Sequence, residues 1–126
     1  MEFSKILEFT NFLLGCYSRA KELHWRTESK SIHESLGVVS YSVLNLVDST
    51  IEQSLAIYGR NVLKSGDVQA AVLLCDDFEE LLDFINTATS EFRNSLEGID
   101  EFKPLISMLD DFLLHLNIDK FRSELV

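Results

Sequence analysis

Turn-forming residues are scarce in this chain, with one Pro and five Gly among 126 residues. A sheet protein needs a turn roughly every 8–12 residues, and Gly, Pro or Asn favour those positions. So few breakers leave long helices joined by few connections, and the apolar spacing agrees with helical period. The expected fold is all-α, with four antiparallel helices in a single domain over 1–126. A hydrophobic share of 46% is enough to build one core.

The first helix is expected from Phe3 to Trp25. Phe3, Ile6, Leu13, Tyr17 and Ala20 share a stripe, and four residues further on that stripe reaches His24. Ser31, followed by Glu34, reads as a capping box opening a second helix from Ile32 to about Tyr58. This helix carries two stripes. Ile32, Leu36, Val39, Val43, Leu46 and Val47 form one; Tyr41, Leu44, Ile51 and Leu55 form the other, with Asp48 and Glu52 among them. The outer helix of a lone bundle needs one apolar stripe. A second subunit is the expected partner of the other.

Asp67 reads as the cap of a short helix reaching Cys75. A third long helix fits Asp76 to Leu96, ended by Gly98. Asp100 is expected to cap a fourth, with Pro104 in its first turn and a break at Asn117–Asp119. Residues 59–75 are enough to travel the roughly 30 Å of a 20-residue helix. That length permits the crossover between helices 2 and 3 of a ferritin-like four-helix bundle.

The formal charge of −10 argues against a nucleic-acid partner, because phosphate contacts call for a basic patch or tail. Neither end reads as such a tail. No stretch reaches 18 apolar residues and no secretory pattern opens the chain, so a cytoplasmic protein without a membrane partner is expected. Cys16 and Cys75 lack metal-site spacing and read as buried thiols. The acids of the third and fourth helices, Asp76 to Asp83 and Asp110–Asp111, read as solvated faces.

Four residues with metal-ligating side chains are His24, His33, Asp48 and Glu52. Imidazole and carboxylate together suit iron, manganese or zinc. Asp48 and Glu52 share one helix face. His33 lies 15 residues before Asp48, hence roughly 22 Å away along the same helix, too far for one ion. His24 ends a helix and His33 opens the next, so the two can meet across the hairpin. A four-ligand site therefore needs the histidines of one subunit and the acids of another, with second helices packed antiparallel across a two-fold axis.

The segment Ala20-Lys-Glu-Leu-His-Trp25, then His33-Glu34, then Asp48 and Glu52, resembles the signature of Dps-type miniferritins. Asp76-Asp-Phe-Glu-Glu-Leu81 and Leu109-Asp-Asp-Phe-Leu113 extend the resemblance more loosely across most of the chain. The resemblance implies a homo-oligomer, at least a two-fold dimer and up to a dodecamer. It implies that Fe(II) is oxidised at intersubunit sites and the iron stored or detoxified. His24 and His33 would bind iron from one side, Asp48 and Glu52 from the symmetry-related subunit, and Trp25 would lie beside the site. The loop between Trp25 and His33 is shorter than the family's, and no Glu-x-x-His occurs for a site inside the bundle.

A different class of reading keeps the scaffold without the iron chemistry: a Dps-related helical dimerisation or interaction protein, as in short divergent viral members. A dimeric structural site for zinc or manganese is a third. Taken singly, Trp25 and His115 read as packed residues and Tyr41 as an interface residue.

Overall fold

The computed structural model describes residues 1–125. Four long helices hold about three quarters of them: α1 (Phe3–Arg26), α2 (Lys30–Tyr58), α3 (Phe78–Ser95) and α4 (Lys103–Ser123). The described residues contain no strand. The all-α expectation holds, and four helices lie where they were expected, the first three with bounds within a few residues.

Aromatic contacts set the directions. Phe3 lies 5.7 Å from Tyr58, and Tyr58 lies 6.4 Å from Phe102, so the start of α1, the end of α2 and the start of α4 meet at one end. Phe9 stacks on Phe92 at 4.1 Å, bringing the end of α3 toward the same end. At the other end, the Ser31 hydroxyl donates to the Ser123 carbonyl at 3.3 Å. Helices α2 and α3 therefore run the same way, opposite to α1 and α4. Each of α1 and α4 packs against both α2 and α3.

The inward stripes are those the spacing indicated. Ile6, Leu13, Leu36, Val43, Leu81 and Leu109 are fully buried together in one core. Burying each such Leu, Ile or Val stabilises the fold by about 1.5–3 kcal/mol. Arg93 fastens α3 to α4 outside that core, its Nε donating to Asp110 Oδ1 at 2.8 Å.

Three local expectations fail. Ser29, not Ser31, caps α2, its hydroxyl accepting from the Ile32 backbone N–H at 3.3 Å. Ser31 is already helical and Glu34 takes no part. Helix α4 is preceded by a 3-10 turn over Asp100–Phe102, and Asp100 gives no side-chain cap. Nor does α4 break at Asn117–Asp119: it continues to Ser123. Asn and Asp cost a helix only about 0.7 kcal/mol each, and Leu116 keeps packing into the core.

The largest departure is the connection from α2 to α3. No helix runs from Asp67 to Cys75; after a 3-10 turn at Arg60–Val62 the chain is extended. It lies along α1, held by Asn11, Gly15 and Arg19, spaced four apart on one face. Asn11 Nδ2 donates to the Asp67 carbonyl at 3.0 Å, while its Oδ1 accepts from the Gln69 N–H at 3.1 Å. The Ala71 N–H donates to the Asn11 carbonyl at 3.0 Å, and Arg19 Nε donates to the Leu73 carbonyl at 3.1 Å. A Cβ on Gly15 would meet the Ala71 carbonyl oxygen at 2.3 Å, so only glycine lets the two backbones approach this closely. Backbone groups that a helix would pair internally are satisfied here by α1 instead.

Candidate metal centre

The short turn between α1 and α2 decides where the histidines go. The Thr27 N–H donates to the Leu23 carbonyl at 2.9 Å and stops α1. Thr27 Oγ1 then accepts from the Ser29 N–H at 3.2 Å, and Ser29 starts α2. Reversal this tight places the last turn of α1 directly beside the first turn of α2.

His24 and His33 meet there, as the sequence indicated. Their rings stack with centroids 3.7 Å apart and planes 18° from parallel. Each Nδ1 bonds the other residue's backbone carbonyl, at 2.7 Å for His24 to His33 and 2.8 Å for the reverse. A carbonyl only accepts, so each Nδ1 must carry a proton. In the neutral ring this leaves the Nε2 lone pair free. Fixing a ligand imidazole through an Nδ1–H···O=C bond is how metal-binding histidines are commonly oriented.

The stack sets a limit of its own. An imidazole lone pair lies in its ring plane, so two nearly parallel rings cannot direct both Nε2 atoms at one ion. One ring must turn out of the stack before the pair can chelate. A Cβ on the neighbouring Gly37 would make only ordinary contact with His24, 3.4 Å from its Cε1.

Asp48 and Glu52 lie one turn apart on α2, both exposed, far along the helix from His33. Among the described residues, no group of three or more His, Cys, Asp or Glu stands close enough to hold a metal ion. One chain thus brings together the imidazoles in one place and the carboxylates in another, and does not unite the two pairs.

Around these half-sites, Tyr41 is 69% exposed and Val38 is also open. Trp25 departs from its expected packing role: it is 73% exposed, with only Lys21 Nζ above it at 5.8 Å. It sits on the outer side of the last turn of α1, one position past the inward-leaning His24. His115 likewise lies exposed, its Nδ1 bonding the Asp111 carbonyl at 2.9 Å.

Cys16 and Cys75 are buried and unpaired. Burial, with a smaller contribution from Cys75, pushes the Cys16 thiol up to about 12, so the reactive thiolate is suppressed. No helix among the described residues is long and apolar enough to cross a membrane. No known protein family, curated protein or solved structure matches this chain.

Proposed function

We propose that the chain works as a homodimer or larger homo-oligomer that binds Fe(II) between subunits, as a miniferritin does, with α2 as the pairing surface. The observation carrying this is the His24–His33 pair, whose Nδ1 atoms are both engaged by carbonyls. That arrangement leaves two Nε2 donors for an external ligand. The lengthwise connection between parallel α2 and α3 is also what a ferritin-like bundle requires.

The outer face of α2 supplies the second support. At 100° per residue, Tyr41, Asp48 and Glu52 fall within about 40° of one another. If His33 of one copy is to stand opposite the acids of another, the two-fold axis must cross midway, at Tyr41–Ser42. An exposed tyrosine and valine occupy that neighbourhood, as an apolar contact at the axis requires. Pairing of this kind completes two equivalent sites at once.

In each site His24 and His33 would offer imidazole nitrogens, with one ring rotated out of the stack. Asp48 and Glu52 of the second copy would offer carboxylate oxygens. Iron would enter as substrate, and hard oxygen donors favour its ferric over its ferrous state. The protein's part is to hold the ion where an oxidant can reach it. Zinc or manganese would suit the same donors in a structural role.

An anaerobic Fe(II) titration, followed by peroxide while ferric absorbance is recorded, tests the reading. His24→Ala and Asp48→Ala should each slow oxidation by at least the roughly 10–100-fold seen when supporting groups around a metal are lost. Unchanged kinetics in both variants would sink it. The stacked rings favour one alternative, a self-associating helical scaffold in which the histidines simply clasp α1 to α2. Under that reading Tyr41→Glu abolishes dimerisation while added Fe(II) binds neither variant nor wild type.

A further inference from the structure

Helix α1 satisfies the extended connection at alternate residues only. Asp67, Gln69, Ala71 and Leu73 each bond Asn11 or Arg19 through a backbone group. In extended chain, successive residues present their backbone groups to opposite edges. Val68, Ala70, Val72 and Leu74 therefore turn theirs away from α1, and none of the four makes a backbone hydrogen bond among the described residues. Side chains alternate in step: Cys75 is buried and Ala71 and Leu73 are half-buried, whereas Val72 is 92% and Leu74 80% exposed. From Val68 to Leu74 this makes an open strand edge roughly 20 Å long.

Proteins guard such an edge with a charge, a proline, a bulge or a covering element. Val68-Gln-Ala-Ala-Val-Leu-Leu-Cys75 contains neither charge nor proline. No turn or bend interrupts it, and the exposure of Val72 and Leu74 leaves it uncovered. A helix pairs its own backbone and has nothing to offer these groups. Only another extended chain presents N–H and C=O groups at matching spacing.

Charge selects among extended chains. Asp76, Asp77, Glu79 and Glu80 follow the segment closely, with no Lys or Arg between them, while Asp67 and Lys64 stand at its other end. Antiparallel pairing of two copies would set Asp67 of each toward the acids of the other, with only Lys64 to offset them. Parallel pairing would place the acids side by side. Like charges brought together in this way penalise a second copy.

We infer that this edge receives an extended segment of another protein by strand addition, uncharged in its middle and basic at the end beside Asp76. Backbone bonds hold the added strand, and its exposed side chains pack on Val72 and Leu74. The basic end fixes its direction. The inference stands apart from iron, the histidines and the α2 surface.

The probe is a fluorescent peptide of alternating valine and threonine with two lysines at one end, followed by anisotropy and by amide exchange in NMR. On binding, the amides of Val68, Ala70, Val72 and Leu74 should gain protection, while Gln69 and Ala71, already bonded, should not change. Glutamates in place of the lysines should weaken binding, and the difference should shrink in about 1 M salt. N-methylation of the peptide's backbone amides should abolish it. Val72→Pro should weaken it by at least about tenfold, since the ring removes an edge N–H that the fold does not use. Ala71 is already extended, as a residue before proline must be, and circular dichroism checks that the helices persist. Absence of binding at about 1 mM peptide, equal binding of the methylated peptide, or protection without alternation would overturn strand addition. Equal binding of the glutamate peptide would overturn the assigned charge of the partner. Protection of the same four amides that rises with protein concentration alone would make a second copy the occupant, and overturn the inference.

Discussion

The two connections on either side of α2 solve the same problem by opposite means. Residues 27–29 reverse the chain with bonds among immediate neighbours: Thr27 closes α1, and Ser29 opens α2. Residues 59–77 travel the length of the bundle, and the bonds holding them come from Asn11 and Arg19, more than 50 positions earlier, with Gly15 between them allowing the close approach. The short turn is a local device and positions the histidines. The long one is a tertiary device, extended because α1 offers its backbone groups partners along a single face. Damage to the first should therefore stay local, while damage to the second should loosen the attachment of α3.

The largest break expected is Gly15→Val. With the Ala71 carbonyl already inside the space of any Cβ, the connection must lift from α1, at a cost of about 2–3 kcal/mol in urea unfolding. Hydrogen exchange should show Ala71 losing protection while the Thr27 amide keeps it. Asn11→Ala removes two bonds to the same segment and should cost about 1–2 kcal/mol, again with faster exchange at Gln69 and Ala71. If exchange rose equally at the short turn, the two connections would not be independent. Ser29→Ala, which deletes the α2 cap, should cost about 1 kcal/mol and leave Ala71 protected.

The smallest effect vanishes at neutral pH. Cys16 lies on the α1 side of the connection and Cys75 within it, and burial raises both thiols. A thiol whose folded pKa exceeds its unfolded value of 9.0 favours folding fully below that value. The stabilisation is lost as pH rises from there through about 12 for Cys16, because the unfolded chain ionises first. Denaturation midpoints should fall in that window, and the Cys16 part of the fall should be absent in Cys16→Ala. An identical alkaline profile in that variant would contradict the buried-thiol account.

Legibility in the sequence followed the same division. Helix stripes were readable because burial of Ile6, Leu13 and Leu36 depends on a period written within one segment. The meeting of His24 with His33 was readable because few residues separate them. Ser29 and Ser31 both carried a capping hydroxyl, and only the backbone path chose between them. Asp67 to Cys75 could not be read as extended, since its partners lie on α1 and its own residues permit a helix. Trp25 was misplaced for the same reason: which side of the last turn faces inward depends on where α2 lies.

Period, charge and the scarcity of breakers were enough, without coordinates, to determine an all-α chain of four helices with a two-striped second helix. Hydrophobic periodicity is a property of neighbouring residues, so sequence alone carries it. Tertiary structure alone decided the extended connection, the stacked imidazoles with their Nδ1 atoms on each other's carbonyls, and the separation of the imidazoles from the carboxylates. Those features depend on which backbone groups find partners across the fold. Such pairing is set by distance in space, not by distance along the chain.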